Sequence, residues 1–240
     1  MKKIIGFVLL VFISLNTNAQ FFNKKIRGNG TIKTETRKIS NFSVLSVAGP
    51  FDVELFKSDS NEITIKGDEN VLEYIVTEVV HDKLKIYFEE GYNVRTNKTI
   101  KITVPFTTIE GVALAGSGDI FCDDVINTNE MKTSIAGSGD ITLAISASNL
   151  KSSIAGSGNI NVKGDVEKID CSIAGSGDVN ANQLNAKIAK ISIAGSGDVK
   201  INVSEEIHVS SVGSGDVYYS GNPKIVKSSS MGSGDVIEKN

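Results

Sequence analysis

From Ala113 to Gly234, apolar and polar residues alternate with a period of two, and the alternation is reset by a recurring Gly-Ser-Gly-Asp or Gly-Ser-Gly-Asn. The first glycine of this tetrad falls at Gly116, Gly137, Gly156, Gly175, Gly195, Gly213 and Gly232, giving spacings of 21, 19, 19, 20, 18 and 19. With that glycine counted as zero, position +4 is always Ile or Val: Ile120, Ile141, Ile160, Val179, Val199, Val217 and Val236. Position −2 begins Leu114, Ile135, Ile154, Ile173, Ile193, and position −6 reads Met131, Leu150, Ile169, Ala189, Ile207, Val226. The odd offsets are polar. Position −5 is mostly lysine (Lys132, Lys151, Lys190, Lys227), and −3 is serine throughout, from Ser134 and Ser153 to Ser229.

A period of two places even offsets on one face of a strand and odd offsets on the other. Units of about nineteen residues made of strands predict an all-β fold, a β-solenoid in which each unit is one coil. Each coil pairs with its neighbours at about 4.8 Å. The Gly-Ser-Gly tetrad then reads first as a corner, because glycine supplies the positive φ that tight corners need. Aligned corners let one coil template the next and leave open edges only at the two ends.

The register also places the cysteines. Cys122 at +6 and Cys171 at −4 both fall on inward offsets, three coil steps apart. That separation is roughly 14 Å at strand spacing, beyond the roughly 7 Å reach of a disulfide between α-carbons. Two buried free thiols are therefore expected.

Residues 41–110 form a more aromatic, β-rich half. In FSVLSVAGPFDVELFK (42–57), Ala48, Gly49, Asp52 and Val53 match offsets −1, 0, +3 and +4, a degenerate extra corner. Alternating runs follow at 63–66, 75–80, 84–88 and 100–104, with a turn at His81–Lys83. Pro105 ends a strand and suggests a boundary near 110. Residues 20–40 lack periodicity and read as a loosely docked arm.

The start, MKKIIGFVLLVFISLNTNAQ, has two lysines, a short apolar run and small or polar residues before Ala19. This predicts a secretory signal peptide over 1–19, with an exported product in the periplasm, on the cell surface or outside the cell. No later run is apolar enough to span a bilayer as a helix. Residues 20–240 carry 23 basic and 28 acidic side chains, which disfavours nucleic acid as a partner. The charge is uneven: residues 20–110 hold 13 of each sign, whereas 111–240 hold 10 lysines, no arginine and 15 acids. The two halves are thus expected to be different structural units, leaving the N-terminal half and the 111–240 solenoid as separate segments.

The sharpest candidate chemistry is the acid column at +3: Asp119, Asp140, Asn159, Asp178, Asp198, Asp216 and Asp235. Carboxylates stacked about 5 Å apart repel one another. Either calcium bridges them, making these six aspartates metal candidates, or each accepts backbone N–H groups at its own corner. The second reading is preferred, since one acid per coil departs from tandem nine-residue calcium repeats and Asn159 sits in the column without disturbing the period. Other motifs fail. The tetrad lacks the third glycine of a dinucleotide fingerprint and is not Gly-x-Ser-x-Gly, so no cofactor and no serine nucleophile is indicated. His81 and His208 read as solvated. A polysaccharide-cleaving enzyme is the minor alternative, disfavoured because residues 111–240 contain only Phe121, Tyr218 and Tyr219 as aromatics and the chain has no Trp.

The segments FSVLSVAGPFDVEL, ITIKGDENVLEYIVTEVVHDKLKIYF, IKITVPF and the AGSGDI repeats together resemble the exported bacterial head GIN domain family, the auto-transporter adhesin group. The resemblance spans about residues 38–240. It implies a right-handed β-helix and an envelope or extracellular setting, and brings no established activity, ligand or site residues. The expectation is a non-enzymatic binding, adhesin or scaffolding protein without cofactor. An envelope polymer or protein is its expected partner, a second copy of the chain is another, and the outward serine face at −3 is the candidate docking surface.

Overall fold

The computed structural model describes residues 24–239, so the expected signal peptide lies outside the described residues. Five strands come first: β1 (Lys24–Arg27), β2 (Ile32–Lys38), β3 (Val44–Ala48), β4 (Phe51–Lys57) and β5 (Glu62–Asp68). A single helical turn, α1 (Glu69–Leu72), leads to β6 (Ile75–Val80), β7 (Lys83–Phe88), β8 (Tyr92–Arg95) and β9 (Ile100–Phe106). The repeats follow as β10 (Gly111–Gly116), β11 (Ile120–Gly137), β12 (Ile141–Gly156), β13 (Ile160–Gly175), β14 (Val179–Gly195) and β15 (Val199–Gly213). The described chain closes with β16 (Val217–Ser220), β17 (Ile225–Gly232) and β18 (Val236–Glu238).

Each of β11 to β15 is one coil of a β-solenoid. It starts four residues after one corner glycine, bends midway where the ladder is locally interrupted, and ends on the next corner glycine. Neighbouring coils pair in parallel with the tetrads aligned: Gly116 opposite Gly137, then Gly156, Gly175, Gly195, Gly213 and Gly232. The corner glycines have φ between +134° and +148°. Each packs directly on the backbone of the corner beneath it. A Cβ on Gly156 would lie 2.2 Å from the Gly137 carbonyl oxygen, and one on Gly158 would lie 2.0 Å from the Gly139 carbonyl oxygen. The first glycine is thus required twice, by its φ and by the coil beneath it, and the second by the coil beneath it alone. The Gly137 carbonyl accepts the N–H groups of Ser157 at 2.8 Å and Gly158 at 3.2 Å, which knits one corner to the next.

The even offsets fill the interior. The +4 column from Ile120 to Val217 is buried, as are Leu114, Ile135, Ile154, Ile173 and Ile193 at −2. Cys122 and Cys171 are buried and unbridged, as the register requires. Thr133 and Ser152 occupy the −4 column beneath Cys171 and satisfy each other, hydroxyl to hydroxyl at 2.9 Å. At −2 the aliphatic column gives way to Ser211, whose buried hydroxyl finds no hydrogen-bond partner among the described residues. In the last coil Val226, placed inward by its offset, is 44% exposed, because no described coil stacks beyond β17. The charged end of the described chain extends this coil. β18 pairs with β16, and the Lys239 ammonium sits 4.1 Å above the Tyr218 ring.

The change in charge near residue 110 does not break the fold. β3 pairs with β10 (Val47 opposite Leu114) and β4 with β11 (Val53 opposite Ile120), so 42–57 supplies the corner that Gly49, with φ +142°, was expected to make. β7 and β9 extend the stack one step further beneath β3 and β4. Charge follows the outward residues, whereas sheet continuity follows the inward ones, which are apolar on both sides of 110. Pro105 likewise lies inside β9, opposite Phe56. It is tolerated because β5 pairs with β9 only over Ile102 and its two neighbours, leaving the other edge at Pro105 without a strand partner.

The expected arm is corrected in the same way. β2 pairs antiparallel with β5 along its whole length, and β1 pairs with β8. These strands carry almost no buried side chains, so they leave no apolar rhythm in the sequence; backbone bonds and a few polar anchors hold them. Arg37 donates to the Leu72 carbonyl at 2.7 Å and to the Ile75 carbonyl, fastening β2 across the end of α1. Buried Asp68 accepts the N–H groups of Gly30 at 2.8 Å and Asn97 at 3.1 Å. The turn at His81 and Asp82, with φ of 49° and 63°, joins β6 to β7 as a two-residue hairpin.

Two substitutions test this packing. Gly158→Ala, at a corner with no space for a methyl group, should destabilise by at least about 2 kcal/mol. Ser211→Val, which restores the aliphatic column and removes an unpaired hydroxyl, should stabilise by about 1 kcal/mol. Denaturant unfolding of the two variants beside the wild type measures both, and a neutral Gly158→Ala would contradict the corner geometry.

Candidate functional site

The acid column is present, and its solution to charge repulsion differs from a self-contained corner cap. Each side chain reaches the coil above rather than its own. Asp119 Oδ1 accepts the N–H of Asp140 at 2.9 Å, Asp140 Oδ1 that of Asn159 at 2.8 Å, and Asn159 Oδ1 that of Asp178 at 3.1 Å. Asp178, Asp198 and Asp216 continue the series to Asp235 at 2.8, 2.8 and 2.9 Å. The reason is the positive-φ corner, which turns the +3 N–H toward the preceding coil, where a carboxylate is waiting. Asn159 also donates its Nδ2 to Asp140 Oδ1 at 2.9 Å, placing a neutral amide within the row of charges.

The two ends of the column have opposite electrostatics. The backbone N–H of Asp235, followed by the Tyr218 hydroxyl at 2.9 Å, holds the Asp216 carboxyl below its ordinary value of 3.8. Asp52, which enters the column from β4, is pushed above that value by burial and then by the Asp119 charge, with Lys101 opposing. Among the described residues, no three His, Cys, Asp or Glu side chains gather in a way that could hold a metal ion. The six aspartates named as calcium candidates stand in a line along the stack.

The remaining reactive groups are dispersed. Burial pushes the Cys122 thiol up to about 11 and the Cys171 thiol up to about 12, so both stay protonated at neutral pH. His81 sits on the β6–β7 hairpin, and His208 in β15 contacts Glu206 on its own strand. The Ser/Lys side is solvated, as its odd offsets predict, with Ser134, Ser172 and Ser210 exposed and Ser153 and Ser192 half-buried.

Two concavities stand apart from the Ser/Lys side, the first of them bordering the acid column at Asp52. One sits where the antiparallel strands join the solenoid. It is a hollow of about 230 Å³ with Asp52, Glu54, Lys66 and Lys101 on its surface and Phe121 beside them. The other is a groove of about 690 Å³ along the mid-coil bend, running from Thr128 in β11 to Gly221 after β16. A side-chain ladder runs beside it. Asn185 Nδ2 donates to Asp165 Oδ1 at 2.9 Å, Asn202 Nδ2 to Asn185 Oδ1 at 3.0 Å, and Ser220 Oγ to Asn202 Oδ1 at 3.4 Å.

Sequence reasoning missed the groove because the bend is where the units differ in length. The two extra residues of the longest unit, Asp123 and Asp124, are a bulge between Cys122 and Val125, and further register shifts follow Asn161 and Ala181. Counting from the corner glycine therefore scrambles this edge. The usable signal was the unmatched spacing itself, with Ser146, Asp165, Asn185 and Asn202 as its polar content.

The family described as "Putative auto-transporter adhesin, head GIN domain" matches residues 41–223. The chain belongs to this family. Among solved structures, a putative lipid-binding protein from Parabacteroides distasonis is 31% identical, with a TM-score of 0.74, covering 90% of this head GIN chain and 100% of that one. A putative adhesin from Bacteroides fragilis has a TM-score of 0.84 at 23% identity, over 89% of this chain and 100% of that one. One from Parabacteroides merdae has a TM-score of 0.67 at 23% identity, over 90% and 100%. The latter two establish the shared fold. No curated protein sequence is significantly similar.

The head GIN acid column carries a pH prediction. Because the folded-state pKa of Asp216 is depressed, its contribution to stability is present above about 3.8 and is lost as pH falls through the lower folded value. Asp52, with a raised value, contributes in the opposite sense, its share being lost as pH rises through that value. Asp216→Asn keeps an acceptor for the Asp235 N–H, as Asn159 does for Asp178. It should leave stability at pH 7 close to that of wild type and flatten the acid side of the curve. Urea unfolding from pH 2.5 to 7 tests this, and an unchanged acid limb would argue against the ladder.

Proposed function

We propose that this chain is a non-enzymatic, exported binding protein of the cell envelope or extracellular space, which holds its partner along the side of the solenoid. The observation that carries the reading is the in-register stack. One outward position recurs coil after coil at about 4.8 Å, so any single weak contact is offered several times in a fixed line. That suits recognition of a repeating or extended surface. The adhesin description of the family and the lipid-binding description of one relative both fit a binding role. An exported setting rests on the leader-like residues 1–19 and on the adhesin family.

On this reading the acid column is structural. In Asp119, Asp140, Asp178, Asp198 and Asp216 one carboxylate oxygen is already engaged by the next coil. Thermal unfolding in millimolar calcium and in chelator should therefore coincide. A site filled a hundredfold above its Kd would add about 2.7 kcal/mol and move the midpoint by several degrees; such a shift would replace this assignment with calcium sites. The binding role itself is tested by sedimenting the fluorescently labelled protein with cell envelopes. Saturable retention is expected, and an unsaturable background would overturn the proposal.

A further inference from the structure

We propose that the mid-coil groove is a binding site for an extended, uncharged polysaccharide lying parallel to the solenoid axis. This rests on the binding role above and names its ligand class. Four features of the groove point the same way.

The first is hydrogen-bonding capacity. A side-chain amide offers two N–H donors and an oxygen with two lone pairs. The Asp165–Asn185–Asn202–Ser220 ladder uses one donor of each asparagine and one lone pair of each acceptor. What remains is an alternating row of donors and acceptors on exposed or half-buried side chains, which is the complement of a row of sugar hydroxyls.

The second is the base. The least exposed lining residues are Val166 and Ala186, with half-buried Ala147 beside them, and these three stack coil on coil. They give an aliphatic strip against which the C–H face of a pyranose can rest, with polar residues on either side. This arrangement does the work that aromatic platforms do elsewhere, and so explains how a chain without tryptophan could hold a sugar.

Charge is the third. The groove's charged side chains are Asp165, Glu167 and Lys187, of which Glu167 and Lys187 pair at 3.1 Å. One carboxylate is left, itself hydrogen-bonded, so nothing in the groove would neutralise an anionic polymer. The fourth is the backbone. The coil-to-coil ladders pair Ala147, Val166, Ala186 and Val203 and are interrupted only for a residue or two at Ser148, Glu167, Lys187 and Ser204, so no continuous strand edge is open to an extended peptide by main-chain pairing. Sugar rings need no such edge. The groove crosses six coils, five steps or roughly 24 Å at strand spacing, and the coil rise is close to the rise of one ring in an extended β-1,4-linked chain.

Calorimetry with hexamers of β-1,4-linked glucose, N-acetylglucosamine and mannose tests the site. At least one should bind, with affinity that rises with chain length up to about four or five rings and then levels off. Asn202→Ala should weaken binding about 3- to 10-fold, the worth of one or two hydrogen bonds. Ser204→Trp, at an exposed lining position, should abolish it, whereas Ser153→Arg on the serine side should change nothing. Matching thermal midpoints establish that each variant is folded. Failure of all three hexamers, or equal binding by wild type and Ser204→Trp, overturns the assignment, as does capture by phosphatidylcholine vesicles that the groove variants leave intact. Envelope retention that survives Ser204→Trp would overturn the groove while leaving the binding role standing; loss of retention in the wild type would remove the role itself.

Discussion

The close approach of backbone to backbone at the glycine corners is the constraint on which the rest of this molecule depends. At Gly137, Gly156, Gly175, Gly195 and Gly213 a single methyl group would fall within about 2.2 Å of the carbonyl oxygen below. A coil can therefore seat on its neighbour in one register only, because a shift by one residue would drive a serine or aspartate into that contact. Fixed corners fix the strands that leave them, and fixed strands sort the even residues inward. A parallel ladder alone does not discriminate so sharply, since its hydrogen bonds are equivalent at each two-residue step. The glycines supply the discrimination.

The acid column is a consequence of that geometry. A corner with positive φ turns the +3 N–H out of the strand ladder, and in a repeat this happens at the same height in every coil. A carboxylate or amide one coil below is the shortest acceptor available, which is why Asp and Asn both serve and why the charge matters less than the oxygen. The like charges are offset locally: by the N–H each carboxylate accepts, by Asn159 within the row, and by the Tyr218 hydroxyl near its end. The column looks like a metal site in the sequence because aspartates recur at fixed spacing. In space they recur along a line, and a cation needs them around a point.

The columns at +4, −2 and −6, the corner at Gly49 and the burial of both cysteines were legible because each is governed by short-range alternation counted from a glycine. What escaped was governed by something else. β1 and β2 bury almost nothing, and their places are set by partners such as Glu62–Asp68, thirty or so residues away, and by polar anchors at Arg37 and Asp68. The apparent boundary near 110 came from counting charges, which report the outward face, while continuity resides in Val47, Leu114 and Ile135 stacked behind it. The groove escaped because its residues lie where the count from the corner fails.

That failure of the count has a physical origin that bears on function. Units of 18 to 21 residues must all return to the same corner, so every insertion or deletion has to be absorbed at an edge that tolerates it. The glycine corner cannot, being in backbone contact at every coil; the mid-coil bend, where such contact occurs only at single levels such as Gly164 and Gly221, can, through bulges at Cys122–Val125 and Ala181–Asn185. The fold thus divides its perimeter into an edge that specifies the stack and an edge free to vary in length and side chain. The Asp165–Asn185–Asn202–Ser220 ladder and the groove of about 690 Å³ both fall on the free edge. A binding surface placed there can change without disturbing the register that presents it, whereas one built on the Gly-Ser-Gly corner could not change at either glycine.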